Sequence, residues 1–396
     1  MTSDYATRIG SDLLAVLRSV AGDAAGQPIP LHEPSFSELE QRMVRDCIAS
    51  TYVSSIGRYV DDFGTMLERY TGACFAIPVV NGTSALQVAL TVAGVKAGDE
   101  VLVPALSFVA TANAVTYCGA TPHFLDSDSA IPGISVERLS SYLRTIGRPA
   151  KSGLVNRTTD RPISAIVPMH AFGHPVDMKP LLTLCATYGI AVVEDAAESL
   201  GSFYSDRHTG TLGLLGTLSF NGNKIVTTGG GGAVLTNEEH LARRVKHLTT
   251  TAKVPHPWRF VHDAIGWNFR MPNLNAALGC AQLQRLPEFL AKKRSLAEAY
   301  RRAFSDVRGL SFVDEPAGSR SNFWLCTIRV WPRDANLRDG ILEIVNQAGY
   351  GCRPAWTLLP KLPMYSACPR APLDEAEMWE ANSINLPSSP GLMRSP

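Results

Sequence analysis

The chain has 396 residues, a formal net charge of +1, 45% hydrophobic residues and 18% charged residues. That length calls for two domains, and the balanced charge and lack of a span-length apolar run exclude nucleic-acid and membrane partners. The eight cysteines, at 47, 74, 118, 185, 280, 326, 352 and 368, form no C-x-x-C pair and no paired His spacing, which points to reduced thiols in a cytoplasm and to no metal site.

Residues 1–50 read as helix in two pieces, parted by Gly26-Gln27-Pro28-Ile29-Pro30. Met1 to Gly10 carry Asp4 and no basic lead before an apolar block, so no signal peptide is expected. From 74 to 236, short apolar runs alternate with helical patterns. The predicted strands are Cys74–Val80, Glu100–Val103, Thr121–Leu125, Ile163–Met169, Ile190–Glu194, Leu215–Phe220 and Gly231–Leu235. Between the first two, Leu86, Ala89, Leu90 and Ala93 have helical spacing and Gly94 closes the helix. A second helix spans 177–188. This alternation predicts a mainly parallel sheet covered on both faces. A long helical pattern follows from Leu274 to Phe304, where Pro287 is expected to break or kink it. Phe323–Val330 reads as a strand, Leu337–Ala348 as a helix and Gly349-Tyr350-Gly351 as a turn into a short strand. The proline-rich tail 354–396 is expected to wrap the surface. The expected units are an N-terminal helical segment 1–50, a large α/β domain 51–285 and a smaller α+β domain 286–396.

The chemistry concentrates around Lys224. An apolar run, Ile190 to Val193, ends in Glu194-Asp195, where open α/β sheets bind ligands. Lys224 follows a strand and a polar turn, Asn221-Gly222-Asn223, and precedes Gly229-Gly230-Gly231-Gly232. A strand-end carboxylate and a lysine are the two groups that hold pyridoxal phosphate (PLP): one keeps the ring nitrogen protonated and the other links covalently. The plain alternative is a surface lysine and a solvated acid. Adjacent strand residues face opposite ways, so Glu194 and Asp195 cannot both address one ligand atom. Asn81-Gly82-Thr83-Ser84 lies between a strand and a helix and reads either as a phosphate cradle or as an N-cap. Ser219 could add a hydroxyl there or be an ordinary strand serine. Phe108 reads as a ring-stacking aromatic or as core. Asn268 and Arg270, in Gly266-Trp267-Asn268-Phe269-Arg270-Met271, have no local structural need.

Taken together, these blocks resemble the DegT-type sugar-nucleotide aminotransferases, PLP enzymes of the aspartate-aminotransferase (type I) fold. The matching stretches are 81–86, 104–114, 194–198, 219–224 and 266–271, and the likeness runs from His32-Glu33-Pro34 to Ser389. Within the family the chain looks most like the legionaminic acid and bacillosamine branch, through Tyr52-Val53-Ser54-Ser55, the four glycines, Arg353-Pro354-Ala355-Trp356 and Leu362-Pro363-Met364-Tyr365. The resemblance implies a seven-stranded, mainly parallel sheet. It gives Lys224 the covalent link and proton transfer, and Asp195 the ring nitrogen. Gly82, Thr83, Ser84 and Ser219 hold the phosphate, and Phe108 covers the ring. Asn268 reaches the neighbouring subunit's site, which implies a homodimer with shared active sites. Glu198 stands where many relatives carry Gln or His, near the ring hydroxyl, and Pro360 where relatives of the branch often carry His.

The implied reaction moves an amino group from glutamate to a nucleotide-linked 4-keto-6-deoxy sugar, such as a UDP- or GDP-2-acetamido hexose. It yields 2-oxoglutarate and an amino sugar for surface glycan or nonulosonic acid synthesis. A 3-keto substrate is the alternative regiochemistry. A dehydratase of the same fold would carry His in place of Lys224. A non-catalytic PLP-binding regulator would be expected to carry a basic DNA-binding extension, and residues 1–50 are too short and insufficiently basic. A dinucleotide oxidoreductase needs Gly-x-Gly-x-x-Gly after an early strand, where this chain has Asn81-Gly82-Thr83-Ser84. Lys253, Arg270 and His170 are candidate diphosphate contacts, His170 being equally readable as a core histidine.

Overall fold

A computed structural model describes residues 2–150 and 153–393. Seven strands form the main path of the large sheet: β1 Phe75–Val79, β2 Glu100–Pro104, β3 Thr121–Leu125, β4 Pro162–Ile166, β5 Ala191–Asp195, β6 Leu215–Ser219 and β7 Gly232–Thr236. Their order is β1-β7-β6-β5-β4-β2-β3. Only β7 runs antiparallel to its neighbours on that path. A hairpin, Gly147–Ala150 with Gly153–Asn156, adds to the side of β4.

Among the described residues, eleven helices accompany the strands: α1 Thr2–Ala21, α2 Glu38–Ala49, α3 Arg58–Thr71, α4 Gly82–Val92, α5 Val109–Tyr117, α6 Val136–Ile146, α7 Met178–Tyr188, α8 Glu239–Thr249, α9 Asn273–Phe304, α10 Ala335–Gln347 and α11 Asp374–Asn382. They cover both sheet faces because strand residues alternate. Val103, Val193 and Val234 pack with α4, α5 and α8. Leu102 and Val192 face α6 and α7, and Leu235 faces α3 and α9. Burial on both sides explains why these strands read as near-continuous apolar runs.

The smaller sheet is antiparallel, in the order β8-β9-β11-β10, where β8 is Leu310–Phe312, β9 Cys326–Val330, β10 Arg353–Pro354 and β11 Ser383–Leu386. Its core includes Ile328, Ile341, Val345, Ile384 and Leu386, with Ile9, Leu13 and Leu17 of α1. Thus α1 packs on α10 and α9, not as a separate N-terminal piece.

Two expectations are corrected here. Of the break or kink expected at Pro287, the break does not occur: α9 runs from 273 to 304 through it and across the expected boundary at 285/286. Buried Leu283, Leu286 and Phe289 anchor both sides of the proline to one core, so tertiary packing outweighs the lost helix hydrogen bond. Nor does the tail merely wrap the surface. It supplies α11 and the interior strand β11, whose Ile384 and Leu386 are fully buried. Residues 394–396 of that expected tail lie outside the described residues. None of the eight cysteines is paired. No described helix is long and apolar enough to cross a membrane. Among the described residues, no cluster of three or more His, Cys, Asp or Glu is placed to hold a metal.

Candidate active site

The carboxyl ends of β1, β2, β5 and β6 open on one cavity of about 680 Å³. It is lined by Gly82, Thr83, Phe108, Asp195, Glu198, Ser219 and Lys224, among others. Seven of the nine residues that the resemblance assigns to the cofactor therefore line one space. Ser84 and Asn268 do not.

The strand-end acids separate as the pleat requires. Glu194 points away from the cavity and is fully buried. It accepts His170 Nε2–H at 3.0 Å and the N–H groups of Gly210, Leu212 and Gly213 at 2.8, 2.7 and 2.6 Å. Burial opposes its ionisation, but His170 and these N–H donors outweigh it and hold the carboxyl below its usual range. Val176 N–H donates to His170 Nδ1 at 3.1 Å, which fixes the tautomer. His170 is a core histidine and not a diphosphate contact.

Asp195 faces the cavity. Its oxygens accept Thr111 Oγ1–H at 2.8 Å and Ala197 N–H at 3.2 Å. Burial pushes its pKa up, against the pull of Thr111, Ala197 N–H and Lys224. Glu198, three residues on, accepts Phe172 N–H at 2.9 Å and Lys224 Nζ–H at 3.2 Å. Burial lifts its pKa to about 7, with Lys224 pulling the other way.

Lys224 stands in a turn closed by its N–H on the Asn221 carbonyl at 3.0 Å. Its Nζ lies 3.9 Å from the centre of the Trp324 ring, a cation–π contact. Trp324 is itself held by Nε1–H on the Asn223 carbonyl at 2.8 Å. Carboxyl and indole confine the amine from two sides, which a solvated surface lysine would not show.

At the start of α4, Asn81 Oδ1 accepts Ser84 N–H at 2.8 Å. Asn81 Oδ1 and Ser84 N–H thus form the N-cap, and Gly82 and Thr83 of the first turn line the cavity, where a helix start suits an anion. A Cβ on Gly82 would meet the Ser219 Cβ at 2.9 Å. The glycine lets the helix start and the strand end come together. Gly232 does the same from β7, where a Cβ would fall 2.5 Å from the Asn81 carbonyl carbon. Phe108 is 52% exposed at the cavity edge, so it is not core.

Asn268 is exposed and accepts Arg270 Nε–H at 3.0 Å, outside the cavity of its own chain. Lys253, under the Phe260 ring, and Arg270 also lie outside it. Pro360 is buried in a short 3-10 turn and does not line the cavity. Sequence reasoning missed Trp324, which lies just before β9 and was read as part of that strand. Thr111 lies inside the matching stretch 104–114, but nothing in that stretch signals its bond to Asp195. Sequence reasoning gave no role to Phe172 and Trp356, whose rings pack 4.8 Å apart on the cavity wall.

These residues fit PLP. An amine, an inward-facing acid and a helix start shaped by the absence of a Cβ match its aldehyde, ring nitrogen and phosphate. Sheet order and lysine together place the molecule among the PLP-dependent transferases of the aspartate-aminotransferase fold. The DegT/DnrJ/EryC1/StrS aminotransferase family profile matches residues 34–395, and the chain belongs to that family. It is 34% identical to the GDP-perosamine synthase of Escherichia coli O157:H7 over 365 residues, 92% of this chain and 94% of that one. The aminotransferase TlmJ from Streptoalloteichus hindustanus has the same fold, with a TM-score of 0.83 at 29% identity, covering 93% of this chain and 95% of that chain. A Streptococcus pneumoniae protein solved in its PLP form shares the fold at a TM-score of 0.82 and 22% identity, covering 91% and 93%. As a family member, the protein is a PLP-dependent aminotransferase with PLP as its cofactor.

Proposed function

We propose that the enzyme moves an amino group from glutamate to a nucleotide-linked 4-keto-6-deoxy sugar, giving 2-oxoglutarate and a 4-amino sugar for surface glycan or nonulosonic acid synthesis. The observation that carries this reading is the Lys224 amine, 3.2 Å from Glu198 in a cavity that Asp195, Thr83 and Ser219 also line. The E. coli GDP-perosamine synthase supports GDP as the nucleotide.

Bound PLP supplies an electron sink for charge developing at the donor α-carbon. The chain's residues do the rest. Gly82 and Thr83 N–H and the Ser219 hydroxyl bind the phosphate, and Phe108 covers the ring. Asp195 holds the proton on the ring nitrogen. Lys224, once free as an amine, takes the proton from the donor α-carbon. In the second half-reaction it delivers a proton to the sugar carbon that receives nitrogen. Arg353 lines the open rim of the cavity, steadied by Nη1–H on Asn346 Oδ1 at 2.8 Å, and meets the sugar diphosphate. Trp356, backed by the buried Phe172 ring, offers an apolar face to the sugar.

The working unit in this reading is a homodimer. The segment between α8 and α9 exposes Trp258, Phe260 and Ile265 at 78%, 80% and 90%, beside exposed Asn268. Large apolar residues grouped this way favour a protein partner. A mixture of Lys224→Ala and Asn268→Ala chains should recover turnover that neither has alone, because the hybrid pair keeps one intact shared site. No recovery, or a monomer by light scattering, would sink the shared site.

The chemistry is tested by borohydride reduction of the purified enzyme, peptide mapping, and assay of keto-sugar nucleotides with glutamate. An adduct on Lys224 and a glutamate-dependent amino sugar are expected. An adduct elsewhere removes Lys224 from its role, and turnover of a non-nucleotide ketone alone removes the substrate class.

A further inference from the structure

Lys224 must shed a proton before its nitrogen can bond to carbon, and the cavity holds an acceptor for it. Glu198 Oε1 lies 3.2 Å from Lys224 Nζ, and the Glu198 side chain is 1% exposed. Its other oxygen, Oε2, accepts Phe172 N–H at 2.9 Å, so Oε1 is the one turned to the lysine. A glutamine could make both contacts, donating its N–H2 only to a neutral amine. A glutamate can also change its charge.

The surroundings decide which way that charge goes. Asp195 faces the same lysine from the end of β5, so two buried carboxyls share one cation. From the segment before α2, buried His32 faces Lys224 as well, and burial with nearby Lys293 and Lys224 holds its pKa well below the ordinary value. His32 therefore adds no positive charge to the site. Lys293 is spent on the Trp324 and Ser388 carbonyls, at 3.1 and 2.5 Å. While Lys224 is charged, Glu198 has a counterion. Once Lys224 becomes a neutral, linked nitrogen, Asp195 keeps the ring nitrogen as its partner, whereas an ionised Glu198 would be buried without a cation, which is strongly unfavourable.

We propose that Glu198 is the proton store of Lys224: the Lys224 ammonium passes its proton along the Nζ–H···Oε1 hydrogen bond, leaving a free amine and a neutral Glu198 carboxylic acid, and Glu198 returns the proton when the lysine is released. The transfer balances within the pair and needs no outside acid or base. Burial has already moved Glu198 to about 7, so a neutral carboxyl at this position is accessible near neutral pH. The inference rests on Lys224 being the linked amine.

The test is infrared difference spectroscopy of the wild-type enzyme, PLP-loaded minus PLP-free, above the Glu198 pKa. Loading should produce the C=O band of a protonated carboxyl, and Glu198→Gln should lack it. Calorimetry of loading in buffers of different ionisation heat should then count about one proton more released to bulk by Glu198→Gln than by wild type. A wild-type enzyme that loads on Lys224 without a carboxyl band overturns the assignment, and so do equal proton counts. If mapping puts the adduct elsewhere, the reading of Lys224 fails first. The wild-type band needs no variant, so a poorly folding Glu198→Gln leaves the test intact.

Discussion

On one face of β5, Glu194 is closed in. His170 and three backbone N–H groups saturate its oxygens, and nothing is left for a ligand. On the other face, Asp195 and Glu198 are equally buried but have fewer donors, and they share Lys224. Their pKa values move in opposite directions: Glu194 down, Asp195 and Glu198 up. Burial is the same in both places. What differs is the number of donors aimed at each carboxyl, and that divides a structural acid from acids kept available for chemistry.

The largest effect should come from the cavity face. Lys224→Ala should cut turnover by about 10⁴-fold, since it removes the proton carrier, while circular dichroism still shows a folded chain. Retained turnover would erase the distinction between the faces. Asp195→Asn should lower turnover by about 10²–10³-fold, the scale of losing one charge-stabilising group in a closed site. Near-normal rates would mean that another acid serves the ring nitrogen. Glu194→Gln should act on stability instead. Its amide nitrogen would face either the N–H groups of Leu212 and Gly213 or that of Gly210, and each buried donor left without an acceptor costs roughly 1–3 kcal/mol. Denaturant unfolding should show the loss, with turnover per folded molecule little changed. Equal damage to both quantities would show that the two faces are coupled.

The cavity face was the more legible one in the sequence. Lys224, Asp195, Gly82 and Thr83 belong to compact blocks, each at the junction of a strand with a turn or helix, where periodicity changes sharply. The closed face was not legible, because its donors are backbone N–H groups of 210–213, and backbone geometry leaves no residue signature. Trp324 was hidden for a related reason. It sits ahead of β9, and its contact with Lys224 joins residues 100 positions apart that only the packing of the two sheets brings together. The tail misled because its prolines suggested a wrap, whereas Ile384 and Leu386 complete a sheet whose other strands come from distant positions. Pro287 misled because local helix chemistry was set against a core the sequence does not display.

The finest test of the two faces is the pH dependence of stability in the PLP-free enzyme. Glu194 has a folded pKa below its unfolded value of 4.5, so its contribution is present above 4.5 and is lost as pH falls through the folded value. Glu198 has a folded pKa of about 7, above the same unfolded value. Between 4.5 and about 7 the folded state therefore holds a proton that the unfolded state has lost, and stability falls as pH rises through that window. Asp195 acts in the same direction. The melting temperature should rise from acid pH, pass a maximum, and decline toward neutrality. Glu198→Gln should flatten the decline and leave the acid limb, whereas Glu194→Gln should blunt the acid limb and leave the decline. An unchanged decline in Glu198→Gln would mean that Lys224 keeps Glu198 ionised across the window, and the proton store would then have no measurable reserve in the free enzyme.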